Sequence, residues 1–387
     1  MSNILFIAYD YPPILSPESI QVQRRALSLA NLGYNILLLT SHSNPAFEFI
    51  DDSLIEEHKN IKIFRTKKPF FEKGLNLFYK FFDLTDRKLW WRDIAFRESI
   101  KIIDNYDVDI LYTHSTPLVD HLVGLKIKKK YNKLKWYTHL SDPWTLNPYK
   151  EYKFRWQFKL NRFYESRVFS SSDKITVTSD KTRKLFIKEF PFLEDKIEIL
   201  PHTFNKKLFT KEKNRGEKRV IVHTGNIYGL RTIRYLLEAL REFDGAFEFR
   251  FYGKIKKEEI ELISQYELSD VVKIYGQIPY LESLQAISKA DYLLLIDAPL
   301  KNSPFFPSKL ADYIGANKPI VALTPKDSAS VEILNHIDNA EYIASSQSIE
   351  EISMVLEKLK EYKVKSPKNI DFYNMDNLSL LKDIFGK

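Results

Sequence analysis

Short runs of consecutive apolar residues alternate with longer amphipathic stretches along the chain. The first unit comprises an apolar run at residues 3–8, a Tyr-Pro-Pro loop, a helical pattern over 18–32 that ends at Gly33, and a second apolar run at 35–41. Continuous apolar strands joined by a helix are typical of parallel strands that are covered on both faces. The pattern therefore predicts a βαβ unit at the start of the chain.

The same alternation continues to about residue 201 and restarts near residue 219. Further strands are predicted at residues 109–113, 135–140, 174–179, 196–201, 219–225, 247–253, 271–277, 291–297, 319–323 and 341–345. Helices are predicted between them, among others at 118–130, 155–169 and 232–243, with a last helix at 375–385 after a break at 367–373. The polar stretch at about 210–217 has no periodicity and is interpreted as a linker.

Two doubly wound α/β domains follow from this pattern. We predict an N-terminal Rossmann-like domain over residues 1–210 and a C-terminal one over 218–365. The segment 366–387, with its helix, is expected to pack back on the first domain. Right-handed crossovers place ligands at the carboxyl ends of parallel strands, so functional residues are expected in the loops that follow strands.

Composition adds limits to this picture. At 387 residues the chain is long enough for two domains of about 150–200 residues. It contains no cysteine, which excludes disulfides and thiolate metal sites and indicates a reducing compartment. The first residues contain no basic leader, and no apolar stretch approaches the roughly 20 residues of a spanning helix. We therefore expect a cytoplasmic protein, soluble or peripheral to the inner face of the plasma membrane.

Charge is unevenly distributed along the chain. Residues 1–210 contain 34 Lys and Arg against 25 Asp and Glu, a net charge of +9, while the remainder has a net charge of −1. A basic half suggests a polyanionic partner, either a nucleic acid or an anionic membrane, although a solvated lysine-rich surface has the same composition. Because no nucleic-acid-binding motif accompanies the charge, we do not expect a nucleic acid partner.

Residues 67–92 interleave basic side chains with aromatic rings. The rings include Phe70, Phe71, Phe78, Phe81, Phe82, Trp90 and Trp91. Rings at headgroup level with cations beside anionic lipid are typical of interfacial membrane segments. We predict an anionic membrane surface as a partner of residues 67–92, and a core-facing helix pair is the alternative.

The turn after the predicted strand 219–225 is suited to an anion. It contains Gly225, Asn226, Tyr228 and Arg231. Glycine lets backbone N–H groups approach an anion, and arginine adds a bidentate phosphate contact. An ordinary βα turn is the alternative.

A second candidate lies where the helical pattern after Pro307 begins. Ser308 is expected to cap this helix, and Lys309 follows in its first turn. Because a lysine is unfavourable beside the positive end of a helix, a bound anion would explain Lys309. Asp312, one turn further, would accept hydrogen bonds from a diol such as ribose, or it compensates the helix dipole. Together with Arg231, these residues predict a nucleotide diphosphate site.

These stretches resemble the GT-B glycosyltransferases, specifically the large retaining family 4. The matching stretches, in chain order, are YDYPP, RRALSLANLGYNILLLTS, YTHLSDPWTLNPY, ILPHTFNKKLF, VHTGNIYGLR, LLEAL, DYLLLIDAP and FPSKLADYIGANKPIVAL. The resemblance implies two Rossmann-like domains that face each other across a cleft. It implies a glycosyltransferase of the hexosyltransferase type, with a nucleotide-sugar donor held mainly by the second domain and a glycan or lipid-linked acceptor held by the first.

The resemblance also implies roles for individual residues. Arg231 is similar to the basic residue that neutralises the donor diphosphate, and Lys309 to the lysine of a Pro-Ser-Lys variant of the family motif. Asp312 takes the place of the second Glu of the Glu-x7-Glu motif, which binds ribose hydroxyls. Pro304 stands at the first Glu position, so backbone amides near Phe305 and Phe306 are expected to contact the donor sugar instead.

The expected chemistry is stabilisation of charge on the departing diphosphate. Arg231, Lys309 and helix N-terminal amides would supply it electrostatically. The resemblance implies retention at the anomeric carbon, with the leaving phosphate assisting deprotonation of the acceptor. His139 and Asp142 follow a predicted strand of the first domain and are candidates to orient a hydroxyl, with a structural histidine and a capping aspartate as the alternative.

No metal or other cofactor is predicted. Asp107 and Asp109 form the only Asp-x-Asp sequence and are interpreted as the polar lead into a strand. His114 and His121 have no companions at ligand spacing.

Three functions remain open at this point. The first is a glycosyltransferase of cell-surface polysaccharide or glycoconjugate synthesis. The second is a nucleotide-sugar 2-epimerase, because a cleft between two Rossmann-like domains also hosts such isomerases. The third is a non-catalytic protein that binds sugar nucleotides or polyanions, which Pro304 at the first Glu position favours.

Overall fold

Each half of the chain is built on a parallel β-sheet. The computed structural model describes residues 2–42, 49–69, 71–82, 88–210, 216–243, 247–360 and 366–386, without the side chains of 80–82. These residues form two compact units, Met1–His202 with Met375–Lys387 and Thr203–Asn374. The division after His202 lies upstream of the predicted linker at 210–217, of which residues 211–215 are outside the described ranges.

The first unit contains seven strands and the helices that connect them. The strands are β1 (Asn3–Ile7), β2 (Asn35–Thr40), β3 (Ile61–Arg65), β4 (Ile110–Ser115), β5 (Lys135–Leu140), β6 (Lys174–Val177) and β7 (Ile197–Ile199). The helices are α1 (Pro17–Asn31), α2 (Glu72–Phe82), α3 (Trp91–Asn105), α4 (Val119–Lys130), α5 (Arg155–Ser171) and α6 (Asp180–Glu189). The sheet order is β3-β2-β1-β4-β5-β6-β7, and the registered pairs are parallel.

Alternate residues of the first sheet enter two separate cores. In β1, Leu5 and Ile7 belong to the core that also contains residues of α3, α4 and α5. Ile4 and Phe6 belong to the core on the other face, with residues of α1. Because side chains alternate between the two faces of a strand, a continuous apolar run is what a sheet covered on both faces requires.

Local capping explains where α1 begins and ends. Ser16 takes the N-cap position, and its side chain accepts a hydrogen bond from Ser19 N at 3.0 Å. Pro17 follows as the first helical residue, where its missing N–H costs nothing. After α1, Gly33 has a φ of +90°, a conformation that favours glycine.

Residues 67–92 supply both exposed and buried rings. Phe71 and Phe78 are exposed, whereas Trp90 and Trp91 are buried in the core. Trp91 Nε1 also donates to Thr66 Oγ1 at 2.9 Å. The prediction that these two tryptophans meet a membrane is therefore wrong, because core packing holds them inside the unit. Phe70 and the side chains of Phe81 and Phe82 lie outside the described residues.

The second unit has six strands in the order β10-β9-β8-β11-β12-β13. They are β8 (Arg219–Thr224), β9 (Phe247–Tyr252), β10 (Val272–Gly276), β11 (Tyr292–Ile296), β12 (Ile320–Leu323) and β13 (Ile343–Ala344). The helices are α7 (Arg234–Leu240), α8 (Lys257–Gln265), α9 (Tyr280–Lys289), α10 (Ser308–Ala316), α11 (Ala329–His336) and α12 (Ile349–Lys360). Both sheets thus have the doubly wound parallel order that the apolar pattern predicts.

The last helix, α13 (Ser379–Phe385), belongs to the first unit. Phe385 packs edge-on against Tyr34, Tyr112 and Tyr137, with ring centroids 5.2–6.0 Å apart. Its carbonyl oxygen accepts a hydrogen bond from the Tyr34 hydroxyl at 2.9 Å. Throughout the ranges given above, no helix combines the length and the apolar character needed to cross a bilayer.

Candidate functional site

The strand order of each sheet identifies one position, at the carboxyl ends of two neighbouring strands, where ligands are expected. In the second unit, β8 is flanked by β9 and β11, so the connections from β8 and β11 leave in opposite directions. Such a switch point opens a crevice at the carboxyl ends of the two strands. Predicted donor residues lie in the loop after β8, which contains Gly225 and Arg231, and in the first turn of α10 after β11, which contains Lys309.

Two glycines allow the backbone after β8 to pack closely. Gly225 has a φ of +97°, and a Cβ there would lie 2.8 Å from Lys309 Nζ. Gly253, after β9, has a φ of +143°, and a Cβ there would lie 2.4 Å from the Gly225 carbonyl oxygen. Real Cβ atoms do not approach other atoms so closely. Because Gly225 has no Cβ, the Lys309 amine lies directly against the backbone there.

The partly buried Lys309 and the buried His223 form a pair at this edge. The Lys309 amine lies 3.3 Å from His223 Nε2, and His223 Nδ1 lies 2.8 Å from the Leu294 carbonyl oxygen. Because a carbonyl can only accept, we assign the proton to Nδ1, which leaves Nε2 as an acceptor for Lys309. Burial, with the charge of Lys309, holds the pKa of His223 well below its usual range. His223 is therefore neutral and orients the Lys309 amine.

The Lys309 ammonium is itself destabilised. Burial, with the positive charge of Arg231, lowers its pKa to about 7, while Asp297 acts in the opposite direction. An anion bound beside Lys309 would restore the charged form, since an opposite charge within a few ångströms favours it. The site thus favours a ligand that carries negative charge.

Arg231 belongs to the same charged group. Its guanidinium carbon lies 4.9 Å from the centre of the Tyr228 ring. The Lys256 amine donates to the carbonyl oxygens of Gly229 and Arg231, both at 2.9 Å, and so braces the turn after β8. The sequence-predicted Asn226 holds the turn from the other side, because its Oδ1 accepts a hydrogen bond from Lys254 N at 2.8 Å.

Asp297 is a site residue that the sequence analysis missed. It follows β11 directly and is buried, and its Oδ2 accepts hydrogen bonds from Thr324 Oγ1 at 2.8 Å and Ser330 Oγ at 2.7 Å. Burial raises the pKa of Asp297, against the hydrogen bonds and the charges of Arg231 and Lys309. The rule that functional residues follow strands would have found it, since it ends the apolar run at 291–297.

Helix α10 begins differently from the expectation. Pro307 occupies its N-cap position, and Ser308 is the first helical residue. The prediction that Ser308 caps the helix is therefore wrong, since the helix begins one residue earlier than that role requires. The Tyr313 hydroxyl anchors α10 between the two strands, because it accepts from Thr224 N at 2.8 Å and lies 3.3 Å from the Leu294 carbonyl oxygen.

Asp312 is held by a tyrosine from the preceding helix. The Tyr280 hydroxyl lies 3.0 Å from both carboxylate oxygens of Asp312, and both residues are buried. Among the residues for which a donor-sugar contact was expected, Phe306 has a buried ring that packs edge-on against Tyr373 at 5.8 Å. Phe305 is partly exposed beside it. The ligand roles of these residues stay predictions.

The first unit has a switch point of its own, between β1 and β4. Glu18 lies in the first turn of α1, after β1, and is a second residue that the sequence analysis missed. Its Oε2 accepts a hydrogen bond from Ser141 Oγ at 2.8 Å and lies 3.2 Å from His114 Nε2. Burial raises the pKa of Glu18 to about 8, against hydrogen bonds from Ser141 and the Thr116 backbone. A neutral carboxyl group therefore stands at the ligand edge of this sheet.

His139 and Asp142 are placed differently from each other. His139 lies within β5 rather than after it, is fully buried, and has its Nδ1 2.9 Å from Thr176 Oγ1. The expectation that it follows the strand is wrong, because β5 extends one residue beyond it. Its ring centre is 4.4 Å from that of His114, and burial holds the pKa of both histidines well below the usual range. Asp142 does follow β5 and is partly exposed.

The Asp-x-Asp sequence has a structural role. Asp109 Oδ2 accepts a hydrogen bond from Asn3 N at 2.8 Å, and the Asp107 carbonyl oxygen accepts one from Asn3 Nδ2 at 2.7 Å. These bonds join the starts of β4 and β1. Within the described part of the chain, no three His, Asp or Glu side chains are grouped as a metal site would require.

Comparisons with known proteins bear on both the family and the fold. Residues 20–208 match the model of Glycosyltransferase Family 4. No curated protein sequence matches the chain.

Solved structures resemble the chain over nearly its whole length. A glycosyltransferase from Rickettsia africae has a TM-score of 0.66 and 15% identity over 99% of this chain and 98% of that one. HepE from Anabaena, in complex with UDP and glucose, has a TM-score of 0.64 and 14% identity over 100% and 96%. A trehalose-phosphate synthase (UDP-forming) from Burkholderia xenovorans has a TM-score of 0.68 and 9% identity over 99% and 100%. At such identities the likeness shows the fold, which is the GT-B fold of these glycosyltransferases, and within this fold residues 20–208 match the family 4 model.

Proposed function

We propose that this glycosyltransferase transfers a sugar from a nucleoside diphosphate sugar to a glycan or lipid-linked acceptor. The observation that carries the proposal is the position of Arg231 and Lys309 at the switch point of the second sheet, where both interact electrostatically with the buried carboxyl group of Asp297. A diphosphate would bring negative charge to these two cations. The structural likeness to HepE, which was solved with UDP and glucose, supports a donor of this class.

The reaction requires stabilisation of the negative charge on the departing diphosphate. Arg231 and Lys309 are held by fixed neighbours, namely the turn braced by Lys256 and the neutral His223. Preorganised charges of this kind stabilise a leaving diphosphate without reorganisation during the reaction. We propose retention at the anomeric carbon, with the leaving phosphate assisting removal of the acceptor proton.

The remaining donor contacts are proposed from position. Asp312, oriented by Tyr280, would accept hydrogen bonds from the ribose diol. Gly225, Asn226 and Tyr228 line the same turn as Arg231. Backbone amides near Phe305, Phe306 and Ser308 would contact the donor sugar in place of the carboxylate that Pro304 replaces.

The first unit would hold the acceptor or the transferred sugar. Glu18, Ser141 and His114 form one connected group at the ligand edge of its sheet. A neutral carboxyl both donates and accepts hydrogen bonds, which suits recognition of a sugar hydroxyl. Asp142 is a further candidate in the loop after β5.

The setting of the reaction is proposed from charge and composition. The absence of cysteine suits the cytoplasm, and the net charge of +9 on residues 1–210 suits contact with the anionic inner face of a membrane. Phe71, Leu77 and Phe78 are the described apolar side chains of residues 67–92 that remain exposed for such contact. An acceptor linked to lipid would place the enzyme in polysaccharide or glycoconjugate synthesis.

Binding of UDP and GDP, measured by titration calorimetry, tests the donor site. Lys309→Met and Asp312→Asn should each weaken binding about tenfold or more, because hydrogen bonds to charged groups contribute roughly 1.5–3 kcal/mol. Lys257→Met is the matched control, since Lys257 is an exposed lysine of the same unit whose amine lies 3.7 Å from Glu261. Unchanged affinity in both site variants would refute the assignment.

Product analysis with radiolabelled nucleotide sugars and membrane extract tests the reaction. Label in a lipid-soluble or glycan product supports transfer. Conversion to an isomeric nucleotide sugar would indicate an epimerase, and binding without turnover would indicate a non-catalytic protein. Either of these two results would overturn the proposed function.

A further inference from the structure

Helix α5 presents polar side chains to the interior of its unit. Gln157, Asn161 and Glu165 recur every four residues and are at most 2% exposed. Asn161 Oδ1 accepts a hydrogen bond from Trp144 Nε1 at 2.9 Å, and Glu165 Oε1 accepts one from Thr145 N at 3.1 Å. Because these bonds satisfy buried groups, they fix the rotation of the helix about its axis.

The opposite face of α5 carries aromatic rings and cations. Trp156 and Phe163 are 46% and 57% exposed, and Phe154 at the N-cap, 48% exposed, stacks on Trp156 with ring centroids 6.4 Å apart. Together with the exposed cations Arg155, Lys159 and Arg167, these rings are called the α5 surface below. Val168 and Phe169, near the end of α5, are buried in the core, whereas the face with Trp156 and Phe163 stays exposed. The exposed face of a surface helix ordinarily carries polar side chains. The exposed rings therefore indicate a partner with an apolar layer.

The charge of the α5 surface indicates the chemistry of that partner. The only acidic residue of α5 is Glu165, which is buried, so every exposed charge on the helix is positive. Arg162 is set apart from this surface, because it pairs with Glu165 and Glu189. Rings that enter the headgroup layer, flanked by cations that meet lipid phosphates, are the features of an interfacial helix.

Other partners fit this surface less well. A second copy of the chain joined through a twofold axis would bring like charges together, which opposes association. A convex helix face gives no groove to follow a nucleic acid backbone. An anionic bilayer satisfies both the rings and the cations.

We propose that α5 is an interfacial membrane anchor whose α5 surface inserts into the headgroup layer of an anionic bilayer. This site is separate in sequence from residues 67–92. It goes beyond the proposed transfer reaction and does not depend on it.

Intrinsic fluorescence gives a direct readout of insertion. Trp156 is exposed, whereas Trp90, Trp91, Trp136 and Trp144 are at most 7% exposed. Since these are all five tryptophans of the chain, a change in emission on binding vesicles reports chiefly on Trp156. We expect a blue shift and protection from acrylamide with phosphatidylcholine–phosphatidylglycerol vesicles, and neither with phosphatidylcholine alone. Trp156→Phe should bind vesicles and lose the blue shift.

Co-sedimentation with the same vesicles measures affinity. The double variant Trp156→Ala/Phe163→Ala should bind at least about tenfold more weakly, and Lys159→Gln/Arg167→Gln should bind more weakly with a smaller dependence on salt. Tyr275→Ala is the matched control, because Tyr275 is a half-exposed ring of the second unit. Circular dichroism establishes that each variant is folded.

Three results would overturn the proposal. One is unchanged vesicle binding in the folded double alanine variant. Another is a wild-type dimer, seen by light scattering, that the double variant dissociates. The third is tighter binding to a single-stranded oligonucleotide than to anionic vesicles. Failure of sugar transfer with intact vesicle binding would count against the proposed function and would not contradict the proposed membrane anchor.

Discussion

Burial moves the pKa of Glu18 in the first unit and of Lys309 in the second unit towards neutral pH. Lys309 loses its charge more easily than a solvated lysine, and Glu18 keeps its proton more readily than a solvated carboxyl group. Both residues lie in the first turn of a helix that follows a strand of a parallel sheet. Shifted pKa values at such positions are typical of functional sites.

Glu18 leads to a prediction about stability and pH. Its folded-state pKa, about 8, lies above the ordinary value of 4.5, so the folded state binds the extra proton between these values. The stabilisation is fully present below pH 4.5 and is lost as pH rises through 8. Glu18→Gln, which mimics the protonated carboxyl, should therefore gain stability relative to wild type between about pH 5 and 9, on the order of 2–4 kcal/mol.

Denaturant unfolding at several pH values measures this difference. Glu98→Gln is a suitable control, because Glu98 forms an exposed ion pair with Lys101. A pH-independent difference between Glu18→Gln and wild type would show that Glu18 is ionised in the folded protein across this range.

At the scale of the element, the turn from β8 to α7 depends on close backbone approach. Gly225→Ala places a Cβ 2.8 Å from Lys309 Nζ, whereas a Cβ at Gly229 meets no atom within 4 Å. Both glycines have positive φ, +97° at Gly225 and +59° at Gly229, so both alanine variants carry backbone strain of at least roughly 1–2 kcal/mol. The displaced Lys309 should therefore weaken nucleoside diphosphate binding only in Gly225→Ala, by about tenfold or more.

Calorimetric titration of the two alanine variants distinguishes the effect of backbone strain from the effect of displacing the Lys309 amine. Equal loss of affinity in both would indicate that strain alone disturbs the turn. In that case, the position of the Lys309 amine would not be the reason that glycine is required at residue 225.

Elements with a clear apolar period are predictable from sequence, and those without one are not. The strands and α1 follow local patterns, and the predicted helix 155–169 matches α5 within two residues. The edge strand β3 was missed, because only Ile61 and Phe64 of Ile61–Arg65 are partly buried and the apolar run is broken. The exposure of Trp156 and Phe163 on α5 was not predicted, because the burial of a ring depends on how the helix packs in the folded unit.

At the scale of the whole molecule, the chain returns to its first unit at its end. Phe385 is buried against three tyrosines of that unit. Phe385→Ala should reduce the free energy of unfolding by about 3–5 kcal/mol, the usual cost of truncating a buried phenylalanine. Nucleoside diphosphate binding by the folded variant should be retained, because the donor residues belong to the second unit.

Chemical denaturation and calorimetry of the full chain test this prediction. Phe372→Ala is the control, because Phe372 is 37% exposed and its truncation should cost less. A folded Phe385→Ala variant that no longer binds nucleotide would contradict the assignment of the donor site to the second unit.

The sequence by itself determined the alternation of strands and helices, and with it the doubly wound fold and the loops in which functional residues lie. Apolar periodicity carries this information because each strand or helix directs its apolar side chains towards the layer against which it packs. The roles of Trp90, His139, Glu18 and α5 were decided only by tertiary structure. Glu18 contacts Ser141, which is 123 positions away in the sequence. The pKa of Glu18 depends on the exclusion of water by such contacts. Burial and partners at that separation leave no local pattern in the sequence.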